Sequence, residues 1–148
     1  MQPPELAQYI HARIPLSKAM GVSVVAVEHD AITLQAPLEP NLNHRLTVFG
    51  GSASAVAMLA SWALLHVRLQ SEGRAERLVI QRNVMEYQHP IDGPFTARSM
   101  LEHPDAWKPF TDLLARRGKA RITVLAVLEH QGRVAARFSG QFVALGEP

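Results

Sequence analysis

The stretch Asn41-Leu42-Asn43-His44-Arg45-Leu46-Thr47-Val48-Phe49-Gly50-Gly51-Ser52 runs directly into the apolar segment from Ala53 to Val67, and the reading of that junction decides the fold. Between Arg45 and Arg68 there is no charged side chain. A run of that kind is a bilayer span, a helix buried on all sides, or a pair of buried strands. Its first part, Leu46 to Phe49, is β-branched and aromatic and ends at a Gly-Gly break. From Gly51 onward Ala and Ser outnumber Leu, Ile and Phe, so insertion into lipid would be only weakly favourable. The segment predicts a buried helix of about five turns, running to near Gln70 and stopped before Gly73.

Upstream, Leu6, Ile10 and Ile14 recur at helical spacing, which predicts a short amphipathic helix over residues 4–13, ending before Pro15 and packing as a lid or flap. Val22–Val27 and Ala31–Ala36 are β-rich runs around Glu28-His29-Asp30, a hairpin pattern. Downstream, a second strand pair is expected from Leu78–Gln88 and Phe95–Glu102, separated by Pro90-Ile91-Asp92-Gly93-Pro94. Pro109 to Gly118 carries proline near a helix start and glycine at its stop. Ala120–Glu129 and Arg133–Ala144 flank His130-Gln131-Gly132 as a long hairpin. The resulting order predicts one α+β domain over residues 1–148 with an antiparallel sheet of about six strands. A sheet with one apolar face needs an apolar element laid across it, and the charge-free helix supplies it.

Composition narrows the function classes. The chain has 148 residues and no cysteine, which excludes disulfide frameworks, zinc ribbons and a cysteine nucleophile. The amino terminus lacks the basic and apolar regions of a signal peptide, so a cytoplasmic location is expected. Seven histidines show no pair at ligand spacing, so neither a metal nor another cofactor is expected. The basic residues are not interleaved with aromatics, which argues against nucleic acid. The cluster Arg116-Arg117-Gly118-Lys119-Ala120-Arg121 is either a solvated helix end or a docking patch, with Arg117 and Lys119 as candidates, for an acidic carrier or a phosphate-bearing tail.

Several runs resemble the YiiD carboxy-terminal domain family of thioesterase-like proteins: Ile14-Pro15-Leu16 with Met20-Gly21-Val22, Ala36-Pro37-Leu38 with Asn41-Leu42-Asn43-His44, and Thr47-Val48-Phe49-Gly50-Gly51-Ser52. Tyr87 with Pro90-Ile91, Gly118-Lys119-Ala120-Arg121 and Gly140 extend the match over nearly the whole chain. The resemblance implies the hotdog fold, a long central helix wrapped by a curved antiparallel sheet. It also implies a homodimer or dimer of dimers acting on acyl thioesters of coenzyme A or acyl carrier protein. Some family members are reported as malonyl-acyl carrier protein decarboxylases.

The residues themselves suit such chemistry. The amides of Gly51 and Ser52 stand in the first turn of the long helix, where unpaired N–H groups and the positive dipole end can hold an oxyanion, and Gly50 permits close approach. Asn43 can donate to that oxyanion and His44 can transfer a proton; as turn residues, Asn41 and Asn43 would instead shape the loop. Thr47 and Phe49 at the mouth, and Asn83 across a dimer interface, complete the candidate binding set. No carboxylate occurs between Glu39 and Glu72, so the acid or base that ordinary hydrolysis uses is missing beside the helix. Decarboxylation of a malonyl thioester, which needs an enolate stabiliser rather than a base, is therefore favoured over hydrolysis, with a non-catalytic acyl-thioester binding module as the remaining alternative.

Overall fold

The computed structural model describes residues 1–74 and 77–146. Two short helices, α1 (Pro3–Arg13) and α2 (Pro15–Ala19), lead into β1 (Ser23–Val27) and β2 (Ile32–Ala36). A single 3₁₀ turn, Glu39–Asn41, precedes α3 (Gly50–Ser71). There follow β3 (Arg77–Tyr87), β4 (Phe95–Leu101), α4 (Trp107–Arg117), β5 (Lys119–His130) and β6 (Arg133–Leu145). The six strands form one antiparallel sheet in the order β1-β2-β4-β5-β6-β3. The curved sheet wraps α3, which contacts β2, β4, β5, β6 and β3, and the arrangement is the hotdog fold.

Among the described helices, α3 alone is long and apolar enough to cross a bilayer. Here it lies on the sheet. Val56, Ala57, Ala60, Ala63, Leu64 and Leu65 are fully buried, and each large aliphatic side chain so covered contributes about 1.5–3 kcal/mol. Small side chains let the helix axis come close to β4. The Ser99 hydroxyl donates to the Ala60 carbonyl at 2.7 Å, a buried tie between strand and helix. The β5–β6 turn places Gln131 and Gly132 both at positive φ, 54° and 73°, the backbone that a two-residue hairpin loop requires.

Three expectations change. The strands β3 and β4 are not a pair: β3 pairs with β6, and β4 sits between β2 and β5. The prolines at 90 and 94 make the connection a crossing segment rather than a tight turn, and Ile91 within it is buried with its carbonyl accepting from the Val48 N–H at 2.8 Å. The first helix is no flap. Leu6 and Ile10 have no exposed surface and α1 packs on β1, so the helix is part of the core. The helix α4 begins two residues earlier than expected, at Trp107, which still leaves Pro109 in its first turn.

The pairing order leaves β3 at one margin of the sheet with its outer backbone edge unpaired. Val79 and Val84 on it are about half exposed. An open edge of 11 residues is a template for another strand.

Candidate active site

The polar preface to α3 folds as a miniature hairpin whose interior is one asparagine. Leu42 and Val48 form an antiparallel bridge, and the Phe49 N–H donates to the Asn41 carbonyl at 2.7 Å. Inside the turn, the Asn43 carboxamide oxygen accepts from the Arg45 and Thr47 amides at 2.8 and 3.1 Å, and its Nδ2 donates to the Thr47 hydroxyl at 2.7 Å. Such side-chain-to-backbone bonding is the reason asparagine favours turns. Leu46 at the tip has φ 62°, a left-handed conformation that costs a non-glycine residue about 1–3 kcal/mol and persists because the surrounding bonds impose it. Asn41 anchors the base: it is buried, and its Nδ2 donates to the Met20 and Pro37 carbonyls at 2.9 and 2.8 Å.

This hairpin delivers the chain to the helix mouth with Phe49 extended as the N-cap, ψ 132°, and no side chain capping the first turn. The first amide with a partner is that of Ala53, donating to the Phe49 carbonyl at 3.0 Å. The amides of Gly50, Gly51 and Ser52 point outward at the positive end of a 22-residue helix. A Cβ at Gly51 would lie 2.3 Å from the Phe49 ring, so a larger residue there requires that exposed ring to swing aside. Tyr87, at the end of β3, closes the other side, its hydroxyl donating to the Gly50 carbonyl at 2.9 Å.

Cavities lie on both sides of this mouth. A groove of about 430 Å³ starts at Gly51 and follows one face of α3 through Ser54, Ala55, Met58 and Trp62, with Leu78 and Ile80 of β3 opposite. Its walls are carbon. A second cavity of about 320 Å³ lies beside Gly50 and Ala53, bounded by Tyr87, His89 and Pro90. Among the described residues no carboxylate lines either one.

Of the residues singled out from sequence, Gly50, Gly51, Ser52 and Phe49 converge at the mouth, and Asn41, Asn43 and Thr47 build the hairpin that presents it. His44 sits exposed at the hairpin tip and lines neither cavity; the histidine that shares a cavity with Gly50 is His89. Asn83 stands opposite Gly140 on the same strand face as Met85 and Tyr87, exposed on the strand that forms the open margin. Arg117 and Lys119 are exposed at the far end of the sheet, where β5 begins, whereas the mouth lies near the end where β5 finishes. Tyr87 and His89 escaped attention as chemical groups. Their signal was only their place beside the crossing segment of Pro90 and Pro94.

Comparison with solved structures supports the same frame. A protein of unknown function from Chlorobaculum tepidum superposes with a TM-score of 0.90 at 30% identity, covering 99% of this chain and 98% of its own. A "putative thioesterase" from Shewanella oneidensis gives 0.85 at 24% identity over 97% and 96% of the two chains. A Pseudomonas aeruginosa protein of unknown function, described as a probable thioesterase, gives 0.82 at 20% identity over 98% and 97%; the last two show a shared fold. Residues 4–146 match the family described as "Putative thioesterase (yiiD_Cterm)". With the match leaving out only a few residues at either end, the chain belongs to the YiiD carboxy-terminal family of thioesterase-like hotdog proteins.

Proposed function

We propose that the protein is an acyl-thioester enzyme that polarises the thioester carbonyl with the amides of Gly51 and Ser52, and that its reaction is decarboxylation of a malonyl thioester. The observation that carries this is the pairing of free first-turn amides with two flanking cavities that no carboxylate among the described residues lines. In the reaction the bond between the α-carbon and the carboxylate breaks and carbon dioxide leaves. The electron pair moves into an enolate whose oxygen the two amides hold, and a proton then reaches the α-carbon. Each donor to that oxygen is worth about 3–4 kcal/mol of barrier. The mostly apolar groove beginning at Gly51 would strip water from the carboxylate, and His89, which borders the Gly50 cavity, would supply the proton. Asn43 acts at one remove, by holding the hairpin.

Hydrolysis of an acyl thioester is the second reading, favoured by the length of the groove. From Gly51 to Trp62 is 11 residues of helix, about 16 Å, enough for a hydrocarbon tail. Under either reading the active form is a homodimer joined along β3. The open edge, the half-exposed Val79 and Val84 and the adjacent apolar groove would be covered together by the same surface of a second copy.

One set of measurements decides. The chain should sediment at twice its 16.3 kDa and convert malonyl-acyl carrier protein or malonyl-coenzyme A to the acetyl thioester, seen by mass spectrometry. Free malonate with free thiol would overturn decarboxylation. Release of longer fatty acids from acyl thioesters would establish hydrolysis instead.

A further inference from the structure

The cavity beside Gly50 shares a wall with another at His89 and Pro90. Both residues also line a third cavity of about 370 Å³, so the two adjoining cavities, taken together as a trough, reach from the helix mouth toward the β5–β6 turn. Along β6 the first part touches Ala136 and the second Arg133. Three residues of strand separate them, about 10 Å. The lining changes from carbon near the mouth to polar groups beyond it: Thr47, His89, Asp92, His130 and Arg133.

The outer cavity is a built feature. His130 is its post, with Nε2 2.8 Å from the Asp92 carboxylate and Nδ1 2.8 Å from the Pro94 carbonyl. Glycine at 93 is required by that post, since a Cβ there would lie 2.8 Å from the His130 ring. Among the described residues Asp92 is the only carboxylate lining the trough, and its charge is directed at His130. Arg133 is exposed, and among the described residues no carboxylate pairs with it. The trough therefore presents an uncommitted guanidinium, with His89 on the way to it, and a guanidinium fork matches phosphate oxygens.

We propose that this trough holds the phosphopantetheine arm of the substrate, with Arg133 binding its phosphate. The assignment rests on the acyl-thioester reading above and deepens it. An arm entering here would place its sulfur at the Gly50–Ser52 mouth and its phosphate at the β5–β6 turn. The Arg117 and Lys119 pair, 11 or more residues back along β5, about 35 Å, is out of reach within the same chain.

The test compares thioesters with and without the phosphate. For Arg133→Glu, kcat/KM should fall about tenfold, carried by KM, on coenzyme A and carrier-protein thioesters, since a charge-assisted bond is lost. The same variant should act on the N-acetylcysteamine thioester, which has no phosphate, like the unaltered protein. Arg137→Glu, the same charge change on the same strand but outside the trough, should leave both substrate classes alike. An equal loss on all thioesters, or none on those bearing phosphate, overturns the proposal. A loss confined to the carrier-protein thioester would assign Arg133 to the carrier's surface, and one confined to coenzyme A to its nucleotide; either also overturns it. Should the protein turn over no thioester, calorimetry with 4′-phosphopantetheine separates the two readings. Binding that Arg133→Glu abolishes supports the trough though the chemistry fails, and absence of binding sinks it.

Discussion

The two halves of α3 follow opposite rules. From Gly50 to Ala60 the helix is mostly Gly, Ala and Ser, its first amides are unpaired, and cavities open on either side. From Trp62 to Leu69 larger side chains dominate and pack. Leu64, Leu65 and Leu69 are buried; Trp62, His66 and Tyr9 stack at 4.9 and 4.6 Å; Arg68 lies 4.2 Å over Trp107. The Trp107 indole N–H donates in turn to Glu72 at 2.6 Å, locking α4 to the helix end. The contrast shows a division of labour along one element. A helix anchored by one half can leave the other half open, because its hydrogen-bond ladder transmits order along the axis.

Breaking the anchored half should cause the largest loss. Leu64→Ala removes a fully buried side chain and should cost about 2–5 kcal/mol of stability, the usual range for such cavities, or about 10 °C in Tm for a domain of this size. At 25 °C the remaining folded protein should keep its rate per molecule. A thermal melt close to that of the unaltered protein would show that this half is not the anchor.

Breaking the open half should do the reverse. Gly51→Pro deletes an amide that serves no helical bond, at a first-turn position where proline is tolerated. Turnover should fall about a hundredfold or more, as when other oxyanion donors are removed, with Tm shifted by little. The Phe49 ring must move aside, but it is more than half exposed and free to swing. Gly51→Ala makes the same demand and keeps the amide, so it must retain most of the rate. Equal losses in the two variants would mean that space, not the amide, matters there.

The anchored half was easier to read from sequence than the open one. An unbroken apolar run against strand-rich flanks admits few solutions, so the buried helix followed from Ala53 to Val67 read together with the strands around it. Hairpins around Glu28-His29-Asp30 and His130-Gln131-Gly132 followed from turn chemistry that is local. The partnership of β3 with β6 did not, because strand choice at long range depends on which faces must be covered and leaves no local mark. At the mouth, Gly50, Gly51 and Ser52 were legible since a helix start has a fixed hydrogen-bond deficit. Asn43 was legible only as a polar residue; that its whole carboxamide is spent inside the turn emerges when Thr47 and Val48 fold back on it. The trough was hidden because His89, Asp92, His130 and Arg133 are joined only by the crossing segment between β3 and β4.

The smallest effect sharpens the comparison, because it isolates one side chain within the anchored half. His66 stacks on both Tyr9 and Trp62, whose own ring centroids are 6.4 Å apart, and its Nε2 is buried without a partner among the described residues. Burial first, and the Arg13 guanidinium second, hold its pKa below the ordinary 6.5; Arg13 lies 5.2 Å over the Tyr9 ring. Below pH 6.5 the unfolded chain binds a proton on this imidazole that the folded chain resists. The folded state is therefore favoured in full above that pH and loses ground as pH falls through the window beneath it. His66→Phe keeps an aromatic ring in the stack and removes the titration. Between pH 7.5 and pH 5 its Tm should drop less than that of the unaltered protein. Parallel drops would show that the stack opens to let the proton in, and that even the tightly packed half of α3 yields to water at its aromatic edge.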